Sequence, residues 1–137
     1  MCQLFEELFK MLKPKLLILD GEYSVHRFDQ FETIPGIISE SRYFWISRTE
    51  EELSVICESH LNLESDKCEP DWRVIKVIGP LDFSLIGLIA DITGILSSEK
   101  ISVFTLSTYD TDYILIKKSK LEQAKDALIL AGYVFLD

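Results

Sequence analysis

The chain has 137 residues, of which 47% are hydrophobic and 27% are charged. These values are ordinary for a folded domain, and the length allows one domain or two small modules but excludes a large multidomain enzyme. The formal net charge of −9 repels phosphate backbones and anionic membrane surfaces, so we expect neither nucleic acid nor a membrane as partner. No apolar run approaches the roughly 20 residues that span a bilayer, and no signal peptide is recognisable, which predicts a cytoplasmic protein.

Cysteine and histidine usage argues against a metal site and against catalysis. Cys2, Cys57 and Cys68 form no CxxC pair and are odd in number, so neither a disulfide framework nor a zinc ribbon is indicated. Cys57 and His60 make a lone CxxH, for which a buried cysteine beside a solvated histidine is the simpler interpretation. The sequence contains no GxSxG elbow and no phosphate-binding glycine-rich loop. We therefore expect no enzyme, no metal and no cofactor.

Hydrophobic periodicity predicts the elements of the first half. In chain order they are a helix over residues 1–12, strands over 15–19 and 23–28, one helical turn after Pro35-Gly36, a strand over 43–47, a turn over 49–52 and a strand over 53–57. The first two strands flank Asp20-Gly21, which predicts that they pair around a tight turn. Thr49 followed by three glutamates resembles a helix start, but the alternation that follows favours a strand.

The second half has a simpler pattern. It is predicted to contain a strand over residues 72–78, a helix over 84–98, strands over 101–107 and 112–117, a helix over 120–130 and a strand over 133–136. This β-α-β-β-α-β order is the ferredoxin-like arrangement, an α+β fold with helices on one face of an antiparallel sheet. The charged segment 62–71 predicts a linker. The predicted domains are therefore 1–61, as a permuted N-terminal unit, and 72–137.

An internal repeat supports two similar units. Sliding the sequence by 60 positions aligns Phe44-Trp45-Ile46-Ser47 with Phe104-Thr105-Leu106-Ser107 and brings the acidic turns that follow into register. The alternative is chance, because many β-hairpins share this alternation.

Two loops of the second half are the candidate site. The loop from Gly79 leads into a long helix, whose free backbone N–H groups attract an anion, and Gly87 removes a side chain that would block a ligand. In the loop after Ser107, Asp110 and Asp112 could hold an ammonium or guanidinium group while Tyr109 covers the ligand. A free amino acid carries both charges. The structural alternatives are a helix capped by Ser84 or Asp82 and a polar hairpin turn.

Three segments resemble the ACT-domain family. GPLDFSLIGLIA (79–90), ISVFTLSTYDTDYILIK (101–117) and YFWISRTEEELSVIC (43–57) are similar to its tandem-ACT subgroup, which includes small bacterial proteins and the animal cytosolic arginine sensors. Ile86 stands where the family usually has proline.

The resemblance implies two ACT-type ferredoxin-like units and a non-enzymatic regulatory module that binds an amino acid at a contact between ACT units. A homodimer or a regulated partner protein would transmit occupancy. The implied ligand-binding residues are Asp82, Phe83, Ser84, Ile86, Gly87, Leu88, Thr108, Tyr109, Asp110 and Asp112. Two alternatives stay open: an interaction module that keeps the fold without a ligand, and a metal-assisted enzyme using Asp110, Asp112 and His60.

Overall fold

The structure, a computed structural model, describes residues 13–78 and 87–136. The helix predicted over 1–12 and four predicted site residues, Asp82, Phe83, Ser84 and Ile86, lie outside these ranges. The strands are β1 (Leu16–Ile18), β2 (Tyr23–Phe28), β3 (Trp45–Arg48), β4 (Leu53–Glu58), β5 (Lys67–Val77), β6 (Val103–Ser107), β7 (Asp112–Lys117) and β8 (Phe135–Leu136). The helices are α1 (Leu88–Ser98) and α2 (Leu121–Leu130), with 3-10 turns at Gly36–Glu40 and Lys118–Lys120.

The chain divides into two compact units. The first combines the residues up to Leu19 with those from Val74 onward, and the second is Asp20–Arg73. This division differs from the predicted boundaries at residues 61 and 72. The predicted linker is also shorter than expected, because β5 already begins at Lys67. The physical reason is strand pairing, since backbone hydrogen bonds of a sheet hold segments together that are far apart in sequence.

In the first unit the strand order is β6-β7-β5-β1-β8. β1 pairs antiparallel with β5 and parallel with β8. The prediction that β1 and β2 form a hairpin is therefore wrong: β2 pairs with β4 and β5 instead. Asp20-Gly21 still marks a sharp change of direction, because Gly21 has a φ of 90°.

The core of the first unit lies between its sheet and the two helices. Alternate residues of the strands and one face of each helix share this core, which explains why the apolar positions keep a spacing of three and four in the helices. Its buried members are Leu16, Ile75, Val77, Leu88, Ile92, Leu96, Ile101, Ile114, Ile116, Leu121, Ala124, Leu128 and Tyr133. Both helices thus pack on one face of the sheet, and the predicted ferredoxin-like α+β fold is confirmed.

The second unit has the strand order β3-β4-β2-β5, and all three pairings are antiparallel. The predicted helical turn after Pro35-Gly36 is present as the 3-10 turn, and it buries Ile38. The core that Ile38 joins is smaller than that of the first unit. Its other buried members are Phe28, Leu53, Val55, Cys57 and Leu61.

A buried carboxylate fixes one end of the second unit. Glu58, the last residue of β4, accepts hydrogen bonds from the Arg42 backbone N–H at 2.5 Å and from the Arg42 guanidinium at 3.4 Å. Its own N–H donates to Ser41 Oγ at 2.9 Å. Burial raises the pKa of the Glu58 carboxyl, but the Arg42 bonds outweigh burial and the pKa lies below its usual value. Glu58 is therefore ionised at neutral pH.

The hairpins β3–β4 and β6–β7 have equivalent pairing registers and loops of equal length. Trp45 faces Ile56 in the first, and Phe104 faces Leu115 in the second, so the pairing registers relate the hairpins by 59 positions. The offset of 60 predicted from sequence is wrong by one residue. The difference matters because a shift by one residue exchanges the two faces of a strand. With 59, the core residue Val55 corresponds to the core residue Ile114.

Candidate ligand-binding site

The loop between β6 and β7 is closed by two threonines. The Thr108 N–H donates to the Thr111 carbonyl at 2.8 Å, and the Thr111 N–H donates to Thr108 Oγ1 at 3.3 Å. The Thr111 hydroxyl is buried and donates to the carbonyl of Val77 at 2.5 Å. This last bond ties the loop to Val77, the last residue of β5.

Helix α1 begins at Leu88, later than the predicted start at Ser84. Gly87 precedes it with a φ of 87°, in the left-handed region that favours glycine. Among the described residues, a Cβ on Gly87 would meet nothing within 4 Å, so the left-handed backbone conformation is the reason found there for glycine. Leu88 is buried in the same core as Val77. Its side chain therefore belongs to the core and is not available to a ligand.

The polar side chains of the hairpin differ in whether a hydrogen bond holds them in place. Asp112 accepts a hydrogen bond from Ser107 Oγ at 2.5 Å, directly across the strand pair. Asp110 is exposed, and Tyr109 is 90% exposed, so the Tyr109 ring covers no described residue. The hairpin thus presents one held carboxylate and one solvated carboxylate.

The residues of the metal alternatives belong to different units. His60 belongs to the second unit, where its Nε2 is 3.6 Å from the Glu58 carboxylate, whereas Asp110 and Asp112 belong to the first unit. Within residues 13–78 and 87–136, no three His, Cys, Asp or Glu side chains are grouped as metal ligands. Cys57 lies in the core, and burial raises the pKa of its thiol to about 11. The structure therefore agrees with the simpler interpretation of the CxxH motif, because Cys57 is buried and His60 is exposed.

Sequence reasoning missed a polar network at the first turn of α1. Tyr133 Oη donates to Asp91 Oδ2 at 2.5 Å, and Lys13 Nζ lies 3.8 Å from the same oxygen. Lys13 also donates to the Ala131 carbonyl at 2.7 Å, and its ammonium is 4.6 Å from the Tyr133 ring centroid. Burial and the hydrogen bond to Asp91 raise the pKa of Tyr133. The network links α1 to two distant chain segments, so no local pattern could reveal it.

Comparison with known proteins identifies the family. Residues 67–129 match the family model of the ACT domain, and residues 21–61 match a second model, described as an N-terminal domain. A solved protein of Agobacterium tumefaciens is 32% identical and aligns with 90% of this chain and 92% of its own, with a TM-score of 0.85. Residues 67–129 therefore form an ACT domain. ACT domains generally act as small-molecule-binding regulatory modules.

More distant relatives share the fold alone. A Vibrio cholerae protein of unknown function is 22% identical over 93% of this chain and 98% of its own, with a TM-score of 0.70. The ligand-free regulatory subunit of aspartate kinase from Thermus thermophilus is 11% identical over 85% of this chain and 96% of its own, with a TM-score of 0.57. No curated protein sequence matches the chain. Among the described residues, no helix is long and apolar enough to cross a membrane.

Proposed function

We propose that the protein is a non-enzymatic regulatory module that binds a free amino acid in its first unit. Occupancy would change a contact with a second copy of the chain or with a regulated partner protein. The observation that carries the proposal is the hydrogen bond from Thr111 to the Val77 carbonyl, which keeps the β6–β7 loop at the exit of β5. Leu88 is buried in the same core as Val77, and the proposal places the start of α1 at this end of the unit.

The charges at this end suit a zwitterion. The first backbone N–H groups of a helix have no partner within the helix and attract a carboxylate, and Gly87 adds no side chain there. Asp112 and Asp110 offer acceptors for an ammonium or guanidinium group. The remaining proposed contacts come from Thr108 and Tyr109 and from Asp82, Phe83, Ser84 and Ile86, which precede Gly87 in the sequence.

We also propose that the two units are two ACT copies, as in a tandem-ACT protein of the cytoplasm. Support comes from the β3–β4 loop, where the Thr49 N–H donates to the Glu52 carbonyl at 2.9 Å and the Glu52 N–H donates to Thr49 Oγ1 at 3.2 Å. These are the bonds that Thr108 and Thr111 make 59 residues later.

Thermal unfolding in the presence of single amino acids tests the ligand. A ligand at 100 to 1,000 times its Kd stabilises the folded state by roughly 3–4 kcal/mol, so the true ligand should raise Tm selectively. Nucleotides and divalent metals serve as comparison compounds. If no amino acid shifts Tm at millimolar concentration, the proposal fails and the interaction module without a ligand takes its place.

A pair of variants tests the site. Asp112→Asn removes the negative charge but keeps an oxygen that can accept the Ser107 hydrogen bond, so the fold should be retained while the Tm shift is lost. The matched control Asp126→Asn removes a charge from an exposed position of α2 and should leave the shift intact. Unchanged affinity in Asp112→Asn would show that the pocket has been assigned wrongly.

A further inference from the structure

The loop between β2 and the 3-10 turn displays apolar side chains to solvent. In this segment, residues 29–37 and named here the Phe31 loop, Phe31 is 83% exposed, Ile34 43% and Ile37 40%. Isolated exposed apolar residues are ordinary on protein surfaces. Three in seven positions, led by an aromatic ring almost fully in water, make this loop a candidate contact surface.

The backbone that carries Phe31 is held in place. The Phe31 N–H donates to Asp29 Oδ1 at 2.9 Å, and the Glu32 N–H donates to the Asp29 carbonyl at 3.0 Å. The guanidinium of Arg48, the last residue of β3, donates to the carbonyls of Gln30 and Glu32. Arg48 thus fixes the carbonyl on each side of Phe31, so the ring projects from a braced turn.

A turn that is already fixed by hydrogen bonds loses less conformational entropy on association. Ordering a flexible loop opposes binding, and a loop already fixed by hydrogen bonds has lost most of that freedom before it meets a partner. Exposed aromatic rings that enter a pocket on the partner often contribute more to affinity than the rest of an interface. Phe31 combines both features and is the expected centre of the contact.

The acidic charge of the second unit favours a basic partner. Asp20–Arg73 contains 13 acidic and five basic residues, whereas the rest of the chain contains ten acidic and nine basic residues. Asp29 and Glu32 lie in the Phe31 loop itself, and the exposed Glu50 and Glu51 closely follow Arg48. A symmetric contact with a second copy would bring these carboxylates against each other. A basic protein surface would instead be attracted to them.

We infer that the Phe31 loop is a docking surface for a different protein, one that offers an apolar pocket bordered by Lys and Arg side chains. Phe31 fills the pocket, Ile34 and Ile37 extend the apolar contact, and Asp29 and Glu32 pair with the basic border. The inference concerns the second unit and does not depend on the amino-acid site in the first.

Selection from a random peptide library displayed on phage tests this surface. The full-length protein is the target, and sequences that also bind the Phe31→Ser protein are removed. We expect enriched peptides that combine Lys or Arg with aromatic or aliphatic residues. Synthetic peptides of the enriched sequence should bind less tightly as salt rises, because exposed charges are screened. No enrichment, or affinity that salt does not change, overturns the inference.

Variants separate docking from folding. Phe31→Ser should weaken peptide binding roughly tenfold or more without lowering Tm. Glu32→Lys should weaken it through charge, and Arg48→Ala should weaken it by releasing the turn. The controls Leu130→Ser and Glu122→Lys change exposed residues of α2 and should bind as the parent does. Sedimentation of the parent and Phe31→Ser proteins completes the test, because a dimer lost on substitution would assign the loop to self-association and contradict the inference.

Discussion

The two hairpins β3–β4 and β6–β7 have the same loop but different surroundings. Thr49 and Thr108 close their loops with the same pair of hydrogen bonds, at distances that agree within 0.1 Å. The residue that ends each loop differs. Glu52 is half-buried, whereas Thr111 is buried and donates to the Val77 carbonyl. The shared bonds define the turn, and the differing residue decides whether the turn is tied to a neighbouring strand.

The flanking residues differ in the same sense. Arg48 precedes the first loop and braces the Phe31 loop, whereas Ser107 at the corresponding position holds the Asp112 carboxylate. One hairpin thus supports a loop that projects an aromatic ring, and the other has a polar end at which we propose that a small ligand binds. The same hairpin backbone thus carries different polar contacts because a few side chains differ.

The largest difference in stability between the hairpins is expected for substitutions at the centres of β4 and β7. Val55 and Ile114 correspond in register, and both are fully buried. Ile114→Ala should destabilise the protein by about 2–5 kcal/mol, and Val55→Ala by less, because valine loses fewer carbons and its core is smaller. Urea denaturation measures both. A larger loss for Val55→Ala would contradict the size assigned to the two cores.

The second largest effect is expected at Glu58, the last residue of the second strand of the β3–β4 hairpin. Glu58 ends β4 with hydrogen bonds to Arg42, so Glu58→Gln should cost about 1–3 kcal/mol at neutral pH. Because the folded-state pKa of Glu58 lies below the unfolded value of roughly 4.3, this stability is present above pH 4.3 and is lost as pH falls through the folded pKa. Unfolding measured against pH should therefore be flatter for Glu58→Gln. The exposed control Glu64→Gln should keep the slope of the parent.

The residues that end the two loops give a smaller contrast. Thr111→Val removes the buried donor to the Val77 carbonyl, and losing a hydrogen bond of this kind costs roughly 1 kcal/mol. Glu52→Gln removes no hydrogen bond of this kind and should change stability by less than about 0.5 kcal/mol. Thermal unfolding of both variants checks this, and equal losses would show that the Thr111 bond contributes nothing.

The two loop-closing threonines should show the smallest difference. Thr49→Ala and Thr108→Ala each remove the hydroxyl that accepts the N–H three residues later, so each should cost about 0.5–1.5 kcal/mol. Thr49 also accepts from the Glu51 N–H, but this bond is exposed and water can replace it. The two losses should agree within about 0.5 kcal/mol, in parallel denaturation curves. Unequal losses would break the equivalence of the hairpins.

Local pattern predicted elements whose signals lie within a few residues. The bounds of β7 agree with the prediction at both ends, because Tyr109-Asp110 breaks the chain before a run of alternating buried residues. The 3-10 turn follows Pro35-Gly36 as expected. The start of α1 was predicted too early because Ser84 resembles a cap, whereas the left-handed Gly87 directly precedes the helix. Of the candidate site, the sequence showed that Asp110 and Asp112 bring two carboxylates to the loop, but it did not show the hydrogen bond from Thr111 to the Val77 carbonyl.

Periodicity and charge are properties of neighbouring residues, so they predicted the α+β class, the order of elements in the second half and the acidic character of the chain. The tertiary structure was needed to place β1 between β5 and β8 and to set the offset of 59 positions between the hairpins. It also decided that Arg48 braces the Phe31 loop. These features depend on hydrogen bonds between residues distant in sequence, and the pattern of neighbouring residues does not reveal such pairing.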